Sequence, residues 1–269
     1  MQTTLRHLSC GRGKPLGVRI FPRRFKGFME CHCIYVESPS HRILVDSGLS
    51  RAELEDPRRL GPFARGLGLQ ADTTLAAVSQ LAALGRAPSD VTDIVLTHMD
   101  LDHAGGVQDF PQATVHAHGR EVAAATTPRT MGERLRYRPD QWRNARLVRH
   151  DTGAATNLRG AEAAAPILQD DGLTVSLVPL FGHTRGHCGV LIETPDAQVL
   201  HSGDVYYDAS ELDTEASLLF ACFLRSIHVK PKEARASLMK LRQWRQQHPE
   251  VRFVSSHDPR EFADAAAGK

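Results

Sequence analysis

Ten consecutive residues, Thr-His-Met-Asp-Leu-Asp-His-Ala-Gly-Gly from Thr97 to Gly106, follow directly on the apolar run Ile94-Val95-Leu96. They place four potential metal ligands, His98, Asp100, Asp102 and His103, within six residues. Imidazole and carboxylate are common donors to zinc, manganese and iron, and such a density suits a metal site better than a packed interior. Ligands two apart share one side of an extended segment, while the adjacent pair Asp102 and His103 can turn toward a second ion. The spacing therefore suggests two ions. Three later groups also close apolar runs: Gly182-His183-Thr184-Arg185-Gly186-His187 after Val175–Val178, Ser202-Gly203-Asp204 after Val199-Leu200, and Ser255-Ser256-His257-Asp258 after Val251–Val254.

In this order the residues resemble the metallo-β-lactamase superfamily, whose signature is His-x-His-x-Asp-His followed by a His, an Asp and a last His at strand ends. Within it they look like the acyl-homoserine-lactone lactonase group. Ile43-Leu44-Val45-Asp46-Ser47-Gly48 resembles the strand and Asp-x-Gly turn before the first helix, Asp204-Val205-Tyr206-Tyr207 the Asp-x-x-Tyr, and His257-Asp258 the closing His-Asp. The resemblance runs from Cys31 to Arg260. It implies an α/β fold, the αββα sandwich of two mixed β-sheets flanked by helices, as one domain over residues 1–269. It also implies two divalent metal ions, zinc first, with manganese or iron as alternatives. One ion takes His98, Asp100 and His183, the other Asp102, His103 and His257, and Asp204 bridges them. Asp102 and Tyr207 are the catalytic candidates. His187 and Asp46 are expected to support ligands rather than bind metal.

Asp100 departs from the pattern, which has a His at that position. Two divalent ions bring four positive charges; Asp100, Asp102, Asp204 and a hydroxide remove four, leaving a near-neutral core that acidifies water less strongly. The harder oxygen ligand favours manganese or iron more than an all-histidine site does. A rival expectation is that Asp100 leaves its position empty, giving a one-metal protein or a non-catalytic metal-binding module.

Composition adds limits. With 269 residues, 41% of them apolar and 24% charged, the chain has ordinary globular composition, and a formal net charge of +2 does not by itself imply nucleic acid. No run approaches the ~18 apolar residues of a membrane span, and Met1–Pro15 shows no apolar leader. Five cysteines without a Cys-x-x-Cys pair fit a reducing cytoplasm. Cys31 and Cys33 read as small apolar strand residues. Two basic and aromatic clusters stand out: Arg129–Arg149, a solvated face or else a flap meeting an anionic group, and Arg19–Phe28, where the resemblance to the lactonase group implies that Phe21 and Phe25 line an acyl-binding surface. His116, His118, His150, His201 and His228 read as ordinary.

Periodicity predicts strands near Val18–Phe21, Cys31–Val36, Arg42–Asp46, Asp93–Thr97, Thr114–Ala117, Leu147–Arg149, Leu173–Val178, Gly189–Glu193, Val199–Ser202 and Val251–Ser255. Helices are expected over Thr73–Leu84, His118–Ala125 and Pro231–Gln247, the last with proline in its first turn. Asp151–Pro166 reads as a long surface loop.

The resulting expectation is a metal-dependent hydrolase in which activated water attacks a lactone or carboxylic ester. A phosphodiester is the alternative substrate. The expected partner is a small molecule, with no nucleic acid or membrane, and the oligomeric state is left open, with a homodimer as one option.

Overall fold

Along the strand Met29–Glu37, Ile34 and Val36 are buried on one side while Cys33 and Tyr35 are buried on the other. A strand apolar on both faces needs cover on both, and that requirement sets the layering. The computed structural model describes residues 3–61, 66–151, 156–158, 161–170 and 172–268.

The first sheet has strands β1 (Thr4–Gly13), β2 (Met29–Glu37), β3 (Arg42–Val45), β4 (Asp93–Val95), β5 (Thr114–His118) and β6 (Arg146–His150), in that spatial order. β1, β2 and β3 pair antiparallel, and β3 to β6 run parallel. The second sheet holds β7 (Thr156–Leu158), β8 (Ala161–Asp170), β9 (Leu173–Pro179), β10 (Cys188–Glu193), β11 (Gln198–His201) and β12 (Arg252–Val254). Its neighbours pair antiparallel except β11 with β12. Helices α1 (Leu16–Ile20), α2 (Arg51–Glu55), α3 (Ala77–Ala83), α4 (Leu101–Ala104), α5 (Gly119–Thr126), α6 (Met131–Arg136), α7 (Pro139–Trp142), α8 (Leu218–Ile227), α9 (Pro231–Gln247) and α10 (Pro259–Ala266) complete the chain.

Three cores hold four layers together. Between the sheets, Ile34, Val36, Ile43, Val45 and Val95 meet Val175, Leu177, Val190, Ile192 and Val254. On the outer face of the first sheet, Tyr35, Leu44, Ile94 and Val115 pack with Leu81 of α3 and Val122 of α5. On the outer face of the second, Val178, Leu191, Leu200 and Phe253 pack with Leu241 and Trp244 of α9. Each fully buried aliphatic contributes about 1.5–3 kcal/mol. The architecture is the expected αββα sandwich.

The structure departs from the sequence expectation at several places. The helix expected over Thr73–Leu84 is a 3-10 turn, Thr73–Leu75, followed by α3, with the extended Ala76 between them. Val18–Phe21 is not a strand: Leu16–Ile20 is helical, started by Pro15 at φ −64°. Four residues, three of them apolar, do not distinguish helix from strand, and Val18 is buried by packing with Phe25, Tyr207 and Phe220. Asp151–Pro166 is not one loop, because β7 and the start of β8 cross it; residues 152–155 and 159–160 lie outside the described residues. That strand is specified by pairing with β9, as at Pro166 opposite Ser176, rather than by its alanine-rich composition. The polar amino terminus carries β1, paired along β2 from Thr4 opposite Glu37 to Gly13 opposite Met29.

Candidate metal centre

All the singled-out residues follow the carboxyl ends of strands, where an open α/β sheet leaves a crevice. Asp46 follows β3, the Thr97–His103 segment follows β4, and His183, Asp204 and His257 follow β9, β11 and β12. Asp46 adopts a left-handed backbone with φ 54°, a conformation that costs an L-residue about 1–2 kcal/mol. The turn aims its carboxylate at Thr97, whose backbone N–H and hydroxyl each donate at 2.8 Å, and at His103 Nδ1, also at 2.8 Å.

Four histidines share one tautomeric arrangement. His103 Nδ1 donates to Asp46. His98 Nδ1 meets the Thr97 hydroxyl oxygen at 3.0 Å, and because that hydroxyl donates to Asp46, the ring nitrogen is the donor. His257 Nδ1 donates to the Glu30 carbonyl at 2.6 Å. His183 Nδ1 faces His228 Nδ1 at 3.1 Å. With each Nδ1 engaged, Nε2 is the nitrogen turned inward toward the carboxylates. His183 Nε2 lies 3.1 Å from Asp100 Oδ2 and 3.4 Å from Asp204 Oδ2; His257 Nε2 lies 3.1 Å from Asp204 Oδ2 and 3.8 Å from Asp102 Oδ2; His103 Nε2 lies 3.3 Å from Asp204 Oδ1; His98 Nε2 lies 3.5 Å from Asp100 Oδ2. Asp204 Oδ2 thus lies between His183 and His257 and Oδ1 faces His103, so this carboxylate touches histidines of both sets.

Imidazole nitrogens turned toward carboxylates in a buried place call for positive charge, which protons on the rings or a bound cation supply. His98 Nε2, His103 Nε2, Asp100 Oδ1 and Asp204 Oδ1 are buried without a hydrogen-bond partner among the described residues. Three overlapping sets can hold an ion: His98, Asp100 and His183; His98, His103 and Asp204; and Asp102, His103 and His257. The donor set fits two divalent ions.

The electrostatics agree. Burial opposes charge on Asp204, yet His257, His103 and His183 hold its carboxyl well below the usual range. Burial works against a charged His103, but Asp204 and Asp46 outweigh it and raise its pKa well above the ordinary value. His257 is raised in the same way, by Asp204 against burial. Burial and then Arg136 push His183 down to about 4, keeping it neutral.

Surrounding residues fix the loops. His187 accepts from the Asp204 backbone N–H at 2.9 Å through Nε2 and donates to the Leu180 carbonyl through Nδ1, so both nitrogens are engaged in positioning. Gly203, at φ 57°, is required here, since a Cβ would lie 2.4 Å from His187 Nε2. Glu121 ties the His98 loop to the His183 loop, accepting from the N–H groups of Met99 and Gly186 and from the hydroxyls of Thr184 and Tyr137. The Tyr207 hydroxyl donates to Asp204 Oδ2 at 2.9 Å, and its ring stacks on His257 at 5.3 Å. Burial, followed by Asp204, raises the Tyr207 pKa well above 10, so the phenol keeps its proton.

Glu121, His228 and Arg136 escaped sequence reasoning. His228 is not ordinary, because its Nδ1 engages His183 Nδ1 at 3.1 Å. Glu121 carried no signal beyond an acidic residue on an apolar helix. Arg136 was one among seven arginines of the Arg129–Arg149 stretch, which forms α6, α7 and β6. Its Nη1 pairs with Asp100 Oδ2 and donates to His183 Nε2 at 2.9 Å. Phe21 and Phe25 do not line the cavity; they back Phe220, with ring centroids 5.0 and 6.2 Å away. The cavity above the site has a volume of about 570 Å³, with Leu16, Leu67, Leu135, Phe223 and Ile227 as apolar walls and Asp100, Asp102, Asp204, Tyr207 and His257 at its floor.

Comparison with known proteins follows the same outline. A model of the metallo-beta-lactamase superfamily matches residues 27–250. A probable metallo-hydrolase of Mycobacterium bovis is 36% identical over 262 residues, covering 94% of this chain and 79% of that protein. An N-acyl homoserine lactonase of Agrobacterium fabrum is 26% identical over 236 residues, 85% of this chain and 82% of that protein. Among solved structures, an N-acyl homoserine lactone hydrolase with a hexanoyl-homoserine product at its metal centre superposes with a TM-score of 0.72 at 18% identity, over 98% of this chain and 97% of that one.

Proposed function

Because the chain belongs to the metallo-beta-lactamase superfamily, we propose that it is a metal-dependent hydrolase of lactones or carboxylic esters with an apolar acyl part. The reading rests on one observation: four imidazoles turn Nε2 inward toward Asp100, Asp102 and Asp204 beneath an apolar cavity of about 570 Å³. We assign His98, Asp100 and His183 to one ion, Asp102, His103 and His257 to the other, and Asp204 to both. Divalent ions at these positions would polarise a carbonyl and bring the pKa of a water toward ~7.

The protein supplies the rest. Tyr207, whose hydroxyl is fixed at Asp204 and faces the cavity, donates to the oxygen on which charge develops. Asp102, with its side chain 29% exposed, is the carboxylate within reach of a water entering from the cavity, and it takes that water's proton. Leu135, Phe223 and Ile227 exclude water from the acyl chain and hold the carbonyl against the floor. A phosphodiester is the second reading, favoured by the guanidinium of Arg136 at the floor.

No helix among the described residues is long and apolar enough to cross a membrane, and all five cysteines are free. We further propose a cytoplasmic protein acting on a small molecule as one domain. The test is a panel of lactones, aryl esters, thioesters and bis-aryl phosphates assayed with zinc, manganese and iron. Lactones and esters should lead and chelation should abolish turnover; leading activity on the phosphates would refute the assignment.

A further inference from the structure

Arg136 is placed where a guanidinium and a metal ion want the same atom. An imidazole nitrogen has one lone pair. His183 Nδ1 is engaged by His228 at 3.1 Å and Tyr207 at 3.3 Å, so Nε2 is the atom it can offer to an ion. That lone pair already accepts from Arg136 Nη1 at 2.9 Å. The same nitrogen of Arg136 pairs with Asp100 Oδ2. Two of the three residues in the His98, Asp100, His183 set are therefore held by one positive side chain.

The other set is different. Asp102, His103 and His257 have no arginine among their hydrogen bonds or ion pairs in the described residues, and His103 Nε2 has no hydrogen-bond partner there. The asymmetry is built into the fold. Arg136 is the last residue of α6, whose first turn is fixed by the reciprocal Thr130 and Glu133 cap. Glu133 is in turn bound by Arg185 Nε at 2.7 Å. The guanidinium therefore stays at the floor when it leaves His183. Asp100 retains a second oxygen, Oδ1, buried and without a partner among the described residues, that it can give to an ion while Oδ2 remains with Arg136.

We propose that Arg136 is an internal competitor for the first metal position: ion and guanidinium exclude each other at His183 Nε2, so the Asp102–His103–His257 position fills first and the His98–Asp100–His183 position fills second and more weakly. This rests on the two-ion reading of the site. In the loaded protein Arg136 keeps its pairing with Asp100 and returns the positive charge that this aspartate, standing in place of a neutral histidine, takes away.

The test is a titration of the chelator-stripped full chain with cobalt(II), followed by calorimetry and by the visible absorption of the bound ion. The native protein should show two uptake events with dissociation constants at least about tenfold apart. Arg136→Gln should tighten the second event by about tenfold or more and leave the first unchanged, while Arg136→Lys, which keeps the cation, should remain near the native pattern. Arg134→Gln, on the same helix, should change neither. Two events of equal affinity in the native protein would overturn the proposal without requiring any variant to fold. A second event unchanged or weakened in a folded Arg136→Gln would overturn it as well. Uptake of less than one ion by the native protein would instead remove the metal reading and the proposal with it.

Discussion

Asp46 Oδ2 lies 2.8 Å from His103 Nδ1, and the same carboxylate binds the Thr97 hydroxyl whose oxygen receives His98 Nδ1. One buried side chain, held in a left-handed turn, thereby sets the tautomers of two imidazoles on the two sides of the centre. Asp46→Asn keeps the shape but removes the charge and puts an amide N–H₂ where an acceptor is required. Metal affinity should fall about 10- to 100-fold, as for other outer partners of ligating histidines. Competition with a chromogenic chelator measures this, and unchanged affinity in a folded variant would exclude Asp46 from orienting His103.

Tyr207 donates to Asp204 Oδ2 but no described residue depends on its oxygen for a backbone bond. Tyr207→Phe removes a donor at the cavity floor and leaves the ring stacked on His257. Turnover should drop by about 100-fold, the scale of losing one oxyanion donor, with metal content and KM little changed. Steady-state kinetics together with metal analysis check it. A native kcat would take the hydroxyl out of the reaction.

Asp100 and Arg136 form a charge pair, which modifies the near-neutral core expected from Asp100 alone. Asp100→His leaves the arginine without its carboxylate and adds one positive charge to the site, so a water there should ionise more readily and the acidic midpoint of the kcat profile should move down, by about one pH unit. Arg136→Gln in the same chain should move it back toward the native value. Non-additivity of the two changes in a double-mutant cycle is the readout; a midpoint that rises in the single variant would contradict the charge argument.

Much of this centre was legible because its residues are local in sequence or close apolar runs. His98 to His103 occupy one strand end, and strands such as Leu173–Pro179 and Cys188–Glu193 announce themselves by apolar content, which gives a mixed α/β chain; the αββα layering and the convergence of His183, Asp204 and His257 were implied by the resemblance to the metallo-β-lactamase superfamily. What stayed hidden is set by distance along the chain. Nothing near Arg136 in sequence distinguishes it from Arg134 or Arg138; only the path of α6 brings it to Asp100, 36 residues away. His228 reads as an isolated histidine until the loop before α9 returns it to His183, 45 residues back. β8 was hidden because its identity comes from the neighbour it pairs with, while α1 was hidden because five residues carry too little periodicity.

Glu261 gives the centre's second sheet a pH dependence of its own. Its Oε2 accepts from the Ser255 N–H at 2.8 Å, and Oε1 meets the Tyr206 hydroxyl at 3.0 Å, beside the strand end that presents His257. Burial, with Asp258 adding to it against the Ser255 bond, raises the pKa to about 7 from 4.5. The folded protein therefore binds this proton more tightly than the unfolded chain, and its contribution is present below about pH 4.5 and is lost as pH rises through about 7. Glu261→Gln replaces the protonated acid with a neutral group whose amide oxygen still accepts from the Ser255 N–H. Since the side chain is only partly buried, the variant should lose about 1–2 kcal/mol less than the native protein between about pH 5 and pH 7.5, well inside the ~3 kcal/mol that the full shift represents. Urea unfolding at both pH values measures the difference, and parallel losses in the two proteins would show that Glu261 ionises normally in the folded state.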